Sequence, residues 1–205
     1  MQKETSGQIQ AGTPKVRATP LTGEGRLYDV DQIRREAGEA IDKGPVTSGY
    51  PLDLHQAYKL LNEALASEIL CVLRYRHHQV VAKGIDNPQV ASEFKEHADD
   101  EDHHAMMIAT RIDQLGGDPD FNPATVTERS ATKYGASCSL SEMIREDLVE
   151  ERVAIEIYRR LIQWFGEGDP TTRRMFEAIL EDEEDHANDL ADLLASVDGT
   201  CAPQN

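Results

Sequence analysis

Glu-x-x-His occurs twice in this chain, as Glu101 with His104 and as Glu183 with His186, and a lone glutamate stands about 33 residues ahead of each, Glu68 and Glu151. Seven residues beyond each lone glutamate comes Tyr-Arg, Tyr75-Arg76 and then Tyr158-Arg159. The second half of the core therefore repeats the first. Four carboxylates and two imidazoles delivered by a duplicated helical hairpin are the ligand set of a dinuclear metal site inside a four-helix bundle. Such a set balances two divalent ions in charge, and few protein donors per ion leave positions open for a small oxidant.

Four long helices must position these residues, and each carries its own punctuation. Asp53 with Gln56 opens the first, which is expected to run to about Lys83 before Gly84. Asn87-Pro88 opens the second, and Gly116-Gly117 stops it. Ser139 and Glu142 form a capping-box pattern for the third, which ends near Phe165 before Gly166. Asp169-Pro170 opens the fourth, which ends near Val197 before Gly199.

The inward stripes show what the glutamates replace. They read Leu61, Leu65, Glu68, Val72, Tyr75; then Phe94, His97, Glu101, His104, Ile108, Ile112, Leu115; then Ile144, Leu148, Glu151, Ile155, Tyr158, Ile162, Phe165; then Phe176, Ile179, Glu183, His186, Leu190, Leu193, Val197. The six candidate ligands thus stand in core positions on all four helices. Buried carboxylates without partners are strongly disfavoured, so four of them on the seams call for cations. Asp99, Asp100, Asp102, Asp182, Glu184 and Asp185 lie off the stripes and read as solvated helix faces.

Composition narrows the function classes. The net charge of -17 belongs to the core, since residues 1–50 hold seven basic and seven acidic residues while residues 51–205 hold fourteen against thirty-one. An acidic core repels nucleic acid and anionic membrane and attracts cations. No stretch approaches the ~18 apolar residues of a membrane span, so the cytoplasm is the expected location. Three cysteines without C-x-x-C spacing, Cys71, Cys138 and Cys201, argue against a disulfide framework and a zinc ribbon. Residues 1–50 read as an N-terminal arm with a short helix over 31–42, residues 51–198 as the bundle, and residues 199–205 as a short tail. The 22 residues from Gly117 to Cys138 are long enough, at ~3.3 Å each, to run the bundle's length and make the second and third long helices parallel.

Leu61-Asn62-x-x-Leu65-x-x-Glu68, Glu101-x-x-His104, Arg145-x-Asp147-Leu148-x-x-Glu151 and Asp182-Glu183-Glu184-x-His186 together resemble the four helix motifs of bacterioferritin and its relatives in the ferritin-like superfamily. The resemblance covers roughly residues 53–197. It implies an all-α ferritin-like four-helix bundle with a long crossover and two irons per subunit. Glu68 and His104 would be terminal ligands of one iron, Glu151 and His186 of the other, with Glu101 and Glu183 bridging both and Tyr75 near the centre. It further implies a ferroxidase that oxidises Fe(II) with O2 or H2O2 and stores or detoxifies iron. Manganese or zinc fits the same donors.

Departures from the family pattern shape the remaining expectations. The family's haem-binding methionine follows the bridging glutamate of the second helix, where this chain has Asp102, so no haem is expected by that route; Met106 and Met107 read as packing residues. Only eight residues follow Val197, which leaves no fifth helix of the kind found in 24-subunit shells and favours a homo-oligomeric dodecamer. Cys71, one turn beyond Glu68, reads as a small buried hydrophobe, and Cys138 lies ~20 Å along its helix from Glu151, too far to pair with it. His97, one turn before Glu101, is the histidine best placed to gate metal access, while His77, His78 and His103 read as surface or supporting residues. A di-iron or di-manganese peroxidase or catalase on the same bundle is the alternative enzyme. A DNA-coating role through the arm is disfavoured, because Lys3, Lys15, Arg17 and Arg26 against Glu4 and Glu24 leave little positive charge.

Overall fold

The computed structural model describes residues 27–39, 41–82 and 88–198. Expectations for residues 1–26, the Lys83-Gly84 stop, the Asn87 cap, Cys201 and the tail lie outside these residues. A short helix, α1 (Val30–Glu39), buries no side chain and is followed by a 3-10 turn at Ile41–Lys43. The bundle then begins where the sequence signals it. The Asp53 carboxylate accepts from the Gln56 N–H and caps α2 (Leu54–Val81), while Pro88 opens α3 (Pro88–Gln114). Gly116 turns the chain out of α3 with φ +82°, a conformation side chains resist, and the Gly117 N–H closes on the Ile112 carbonyl.

After a crossover holding the short α4 (Val126–Arg129), Ser139 caps α5 (Leu140–Phe165) by accepting from the Glu142 N–H. Gly166, at φ +42°, ends it. Asp169 caps α6 (Pro170–Val197) through the Thr172 N–H, with Pro170 in the first turn. The four long helices hold 26 to 28 residues each, ~40 Å at 1.5 Å per residue. No strand occurs among the described residues.

Two apolar clusters fix the directions of the helices. The first joins Leu61 of α2, Ile112 of α3, Phe165 of α5 and Phe176 of α6; the second joins Tyr75, Phe94, Ile144 and Leu190 of the same helices in turn. Hence α3 and α5 run parallel to each other and antiparallel to α2 and α6, as the crossover length predicts. That crossover is stitched up the side of α2. Arg129 donates to the Asn62 carbonyl at 2.8 Å, the Ala131 N–H to Ser67 Oγ at 3.0 Å, and Thr132 Oγ1 to the Ser67 carbonyl at 3.3 Å. One end of the bundle is clamped by Asp169, which accepts from Arg111, Tyr50 and Thr172.

Candidate metal centre

Between the two apolar clusters lies a polar layer, and every long helix of the bundle contributes to it. Glu68 from α2, Glu101 and His104 from α3, Glu151 from α5 and Glu183 and His186 from α6 are each 5% exposed or less. All six sequence-selected residues therefore meet in one buried place. Glu68, Glu101, His104 and Glu183 turn ligand atoms toward one point, and Glu101, Glu151, Glu183 and His186 toward a second. Glu101 and Glu183 belong to both groups.

The distances show how they are shared. His104 Nδ1 lies 3.5 Å from Glu68 Oε2, 3.6 Å from Glu101 Oε2 and 3.5 Å from Glu183 Oε1. His186 Nδ1 lies 3.9 Å from Glu101 Oε1 and 4.0 Å from Glu183 Oε2. Each central carboxylate thus offers one oxygen to either histidine. Donor atoms ~2.0 to 2.2 Å from a shared ion stand roughly 3.3 to 4.4 Å apart, which is this spacing. The same atoms are left without hydrogen-bond partners: Glu68 Oε2, both oxygens of Glu101 and of Glu183, Glu151 Oε2, and Nδ1 of both histidines. Buried polar atoms left unpaired cost ~1 to 3 kcal/mol each and more when charged, so the donor set fits two cations.

The far nitrogen of each histidine is held from the opposite hairpin. His104 Nε2 on α3 lies 3.0 Å from Asp182 Oδ2 on α6, and His186 Nε2 on α6 lies 3.4 Å from Asp100 Oδ2 on α3. A carboxylate there keeps the proton on Nε2 and leaves Nδ1 free to donate its lone pair to a metal. Asp100 and Asp182 are half exposed, so the solvated-face reading describes only part of their role. Asp99 pairs with Arg76 and Lys95, and Glu184 with Arg159, on the outside as expected. Asp182→Ala is expected to weaken Zn(II) affinity about 10- to 100-fold, measured by competition with a chromophoric chelator. Affinity equal to wild type would show that Asp182 does not orient His104.

Residues 58–199 match the family described as Ferritin-like domain. This chain belongs to that family. A bacterioferritin from Desulfovibrio desulfuricans is 30% identical over 129 residues, covering 62% of this chain and 68% of that protein. A nutrient stress-induced DNA-binding protein from Nostoc is 28% identical over 180 residues, covering 86% of this chain and 90% of the relative. Among solved structures, the dodecameric thioferritin related to bacterioferritin from Bacteroides fragilis superposes with a TM-score of 0.68 at 31% identity, covering 80% of this chain and 94% of that one.

Around the polar layer this ferritin-like bundle carries a second set of buried groups, in which Arg74 is the member that type and spacing did not single out. Arg74 and Asp147 are both fully buried; Arg74 Nε donates to Asp147 Oδ1 at 2.7 Å, and His78 Nδ1 meets Asp147 Oδ2 at 2.8 Å. Arg74 also reaches the Lys133 carbonyl at 3.1 Å and lies 3.8 Å from Glu151. Tyr75, expected near the centre, donates a short hydrogen bond to Glu151 Oε1. His97 Nδ1 lies 3.3 Å from the Tyr75 oxygen, and its ring stacks on His186 at 4.0 Å between centroids. Tyr158 instead stacks on Phe176 inside the apolar cluster. Cys71 is buried against Thr132 and Arg74, its thiol pushed up by burial, and Cys138 is exposed. Met107 packs on the core, but Met106 is half exposed, contrary to its expected packing role.

The layer's electrostatics favour proton storage when no metal is bound. Burial and the charge of Glu101 push the Glu68 carboxyl well above the usual range, and burial with Glu101 and Glu151 does the same to Glu183. Burial also raises Glu151. Burial opposes ionisation of Glu101, yet the Glu68 carboxyl and the His104 imidazole beside it, with His186, hold its carboxyl down at about 2. Burial likewise opposes protonation of His104, yet contacts with Glu101, Glu183 and Glu68 raise the imidazole well above its usual value.

Metal binding must displace these protons, so affinity is expected to rise with pH. The stability of the metal-free protein runs the opposite way. A raised carboxyl or imidazole stabilises the fold fully below its unfolded pKa, 4.5 or 6.5, and loses that contribution as pH rises toward the folded value. Glu101 is ionised in both states across this range and adds no slope. Between about pH 5 and 8 the apo unfolding midpoint should fall while Zn(II) increasingly restores it. An apo midpoint that climbs over the same range would contradict this balance.

Proposed function

We propose that this chain is a ferroxidase of the bacterioferritin kind, which binds two Fe(II) between its helices, oxidises them with O2 or H2O2, and passes ferric iron to a mineral core. One observation carries the reading: Glu101 and Glu183 each present two unpartnered buried oxygens, one toward each histidine. Carboxylates shared in this way would hold two Fe(II) side by side, so that one oxidant could take an electron from each. Iron supplies the redox chemistry. The chain's own contribution is to orient both imidazoles through Asp100 and Asp182, to hold Glu151 through Tyr75, and to keep the layer dry.

A hollow homo-oligomer, a dodecamer as described for the Bacteroides relative, is the assembly this reading implies. Leu73, Val80 and Val149 are each more than half exposed on the outside of α2 and α5, and a second copy of the chain is a natural cover for them. With Asp102 exposed beside Glu101, the reading includes no haem, and with an acidic bundle it includes no DNA coating. No helix among the described residues is long and apolar enough to cross a membrane.

Aerobic Fe(II) titration followed by size-exclusion mass measurement tests the proposal. Uptake well beyond two irons per subunit, in a particle of about twelve 22.8 kDa chains, is the expected result. Saturation at two metals with steady turnover of H2O2 would replace it by the di-iron or di-manganese peroxidase or catalase reading.

A further inference from the structure

A pit of about 190 Å³ opens beside the dinuclear layer, between the first half of α3 and the second half of α6. Its walls carry Glu96, Asp100, Asp182 and Asp185, and no basic side chain other than histidine lines it. The buried imidazole of His186 forms part of its surface, so the pit touches a candidate ligand of the metal pair directly.

A different trio gathers ligand atoms in the same pit. Glu93, His97 and Asp189 each offer one donor, all within 4.8 Å of one another. Acidic residues on a surface would mean little alone, but His97 is not on the surface. It is 2% exposed, and its Nε2 is buried without a hydrogen-bond partner. The hydrogen-bond chain dictates what that atom carries. Tyr75 spends its hydroxyl proton on Glu151, so its oxygen accepts from His97 Nδ1–H, and Nε2 is left with a lone pair. That lone pair faces Glu93 Oε1 at 3.6 Å. Two acceptors facing each other at this distance, with a third carboxylate beside them, suit a divalent cation between them.

We propose that Glu93, His97 and Asp189 form a third divalent-cation site, which collects Fe(II) from the acidic pit and hands it past His186 to the dinuclear pair. The hand-over rests on the ferroxidase reading; the site itself does not. His97 stacks on His186 at 4.0 Å between ring centroids, so the outer trio and the inner layer adjoin through these two imidazoles. The same stack links loading of the outer site to the orientation of a ligand of the inner one.

Co(II) binding to the full-length protein, counted by equilibrium dialysis and located by anomalous scattering in crystals grown at the saturating concentration, tests the site. Three ions per subunit are expected, with one peak between Glu93, His97 and Asp189, and Glu93→Gln with Asp189→Asn should remove that peak and leave the two between Glu101 and Glu183. Stopped-flow oxidation of limiting Fe(II) should slow at least ~10-fold in the same variant, as for loss of an acidic funnel. Two inner peaks without an outer one would overturn the third site and leave the dinuclear reading standing. An outer peak whose removal leaves the oxidation rate unchanged would overturn the hand-over. No peak between Glu101 and Glu183 would overturn the dinuclear reading, with the outer site judged on its own peak.

Discussion

Glu183→Gln is expected to lower the initial rate of aerobic Fe(II) oxidation by more than about 100-fold while the metal-free bundle stays folded. Losing an outer partner of a metal ligand costs roughly 10- to 100-fold. Glu183 faces both histidines, so its amide would weaken both ions together. Stability should hardly move, because the carboxylate sits 1% exposed beside Glu101 and Glu151, and burial already drives it toward its neutral form. Glutamine keeps the shape of that neutral form, so the metal-free bundle should keep about its wild-type stability. Stopped flow and denaturant titration of one preparation measure both. An oxidation rate within a few-fold of wild type would remove Glu183 from the metal centre.

Asp147→Ala is expected to be the most destabilising single change in the bundle, at about 3 to 5 kcal/mol. Its carboxylate bonds both Arg74 and His78, and none of the three has measurable exposure. Alanine would leave a guanidinium buried with the Lys133 carbonyl, the Cys71 sulfur, the Tyr75 ring and a distant Glu151 for company. Arg74→Met combined with Asp147→Leu removes both charges and should recover much of the loss. Urea unfolding of the metal-free single and double variants decides it. A single variant within ~1 kcal/mol of wild type would mean that water or a local shift replaces the carboxylate.

The convergence of the six candidate ligands was legible because each interrupts an apolar stripe in phase and because the pattern occurs twice. Helix limits were legible for a similar reason: Asp53, Ser139, Asp169 and Gly116 have side-chain or backbone properties that act locally. Asp100 and Asp182 stand one residue off the stripe and remain half in water, so burial patterns could not separate them from Asp102 or Asp185. The usable sign was Asp-Glu-x-x-His in both halves, at 100–104 and 182–186. Arg74 and Asp147 were harder still. An arginine next to exposed Leu73 reads as surface, and only a partner 73 residues away, brought close by the packing of α2 on α5, makes it core. Val72 and Leu148, expected inside, are half buried, since a stripe drifts across a helix face while the interior it meets is narrow.

The duplicated hairpins are copies in ligand type and unequal in surroundings. Tyr75 clasps the lone glutamate of the other half, whereas its counterpart Tyr158 turns away to stack on Phe176 and leaves Glu68 Oε2 unclasped. Two ions with matching donors would therefore rest in mismatched nests, one stiffened by a phenol and backed by a guanidinium, the other freer to rearrange. Such a pair need not fill, or surrender its cargo, in unison. Under the proposed ferroxidase reading, the looser position, beside Glu68, would be the exit for oxidised iron, and the stiffer one, beside Glu151, would stay loaded between rounds.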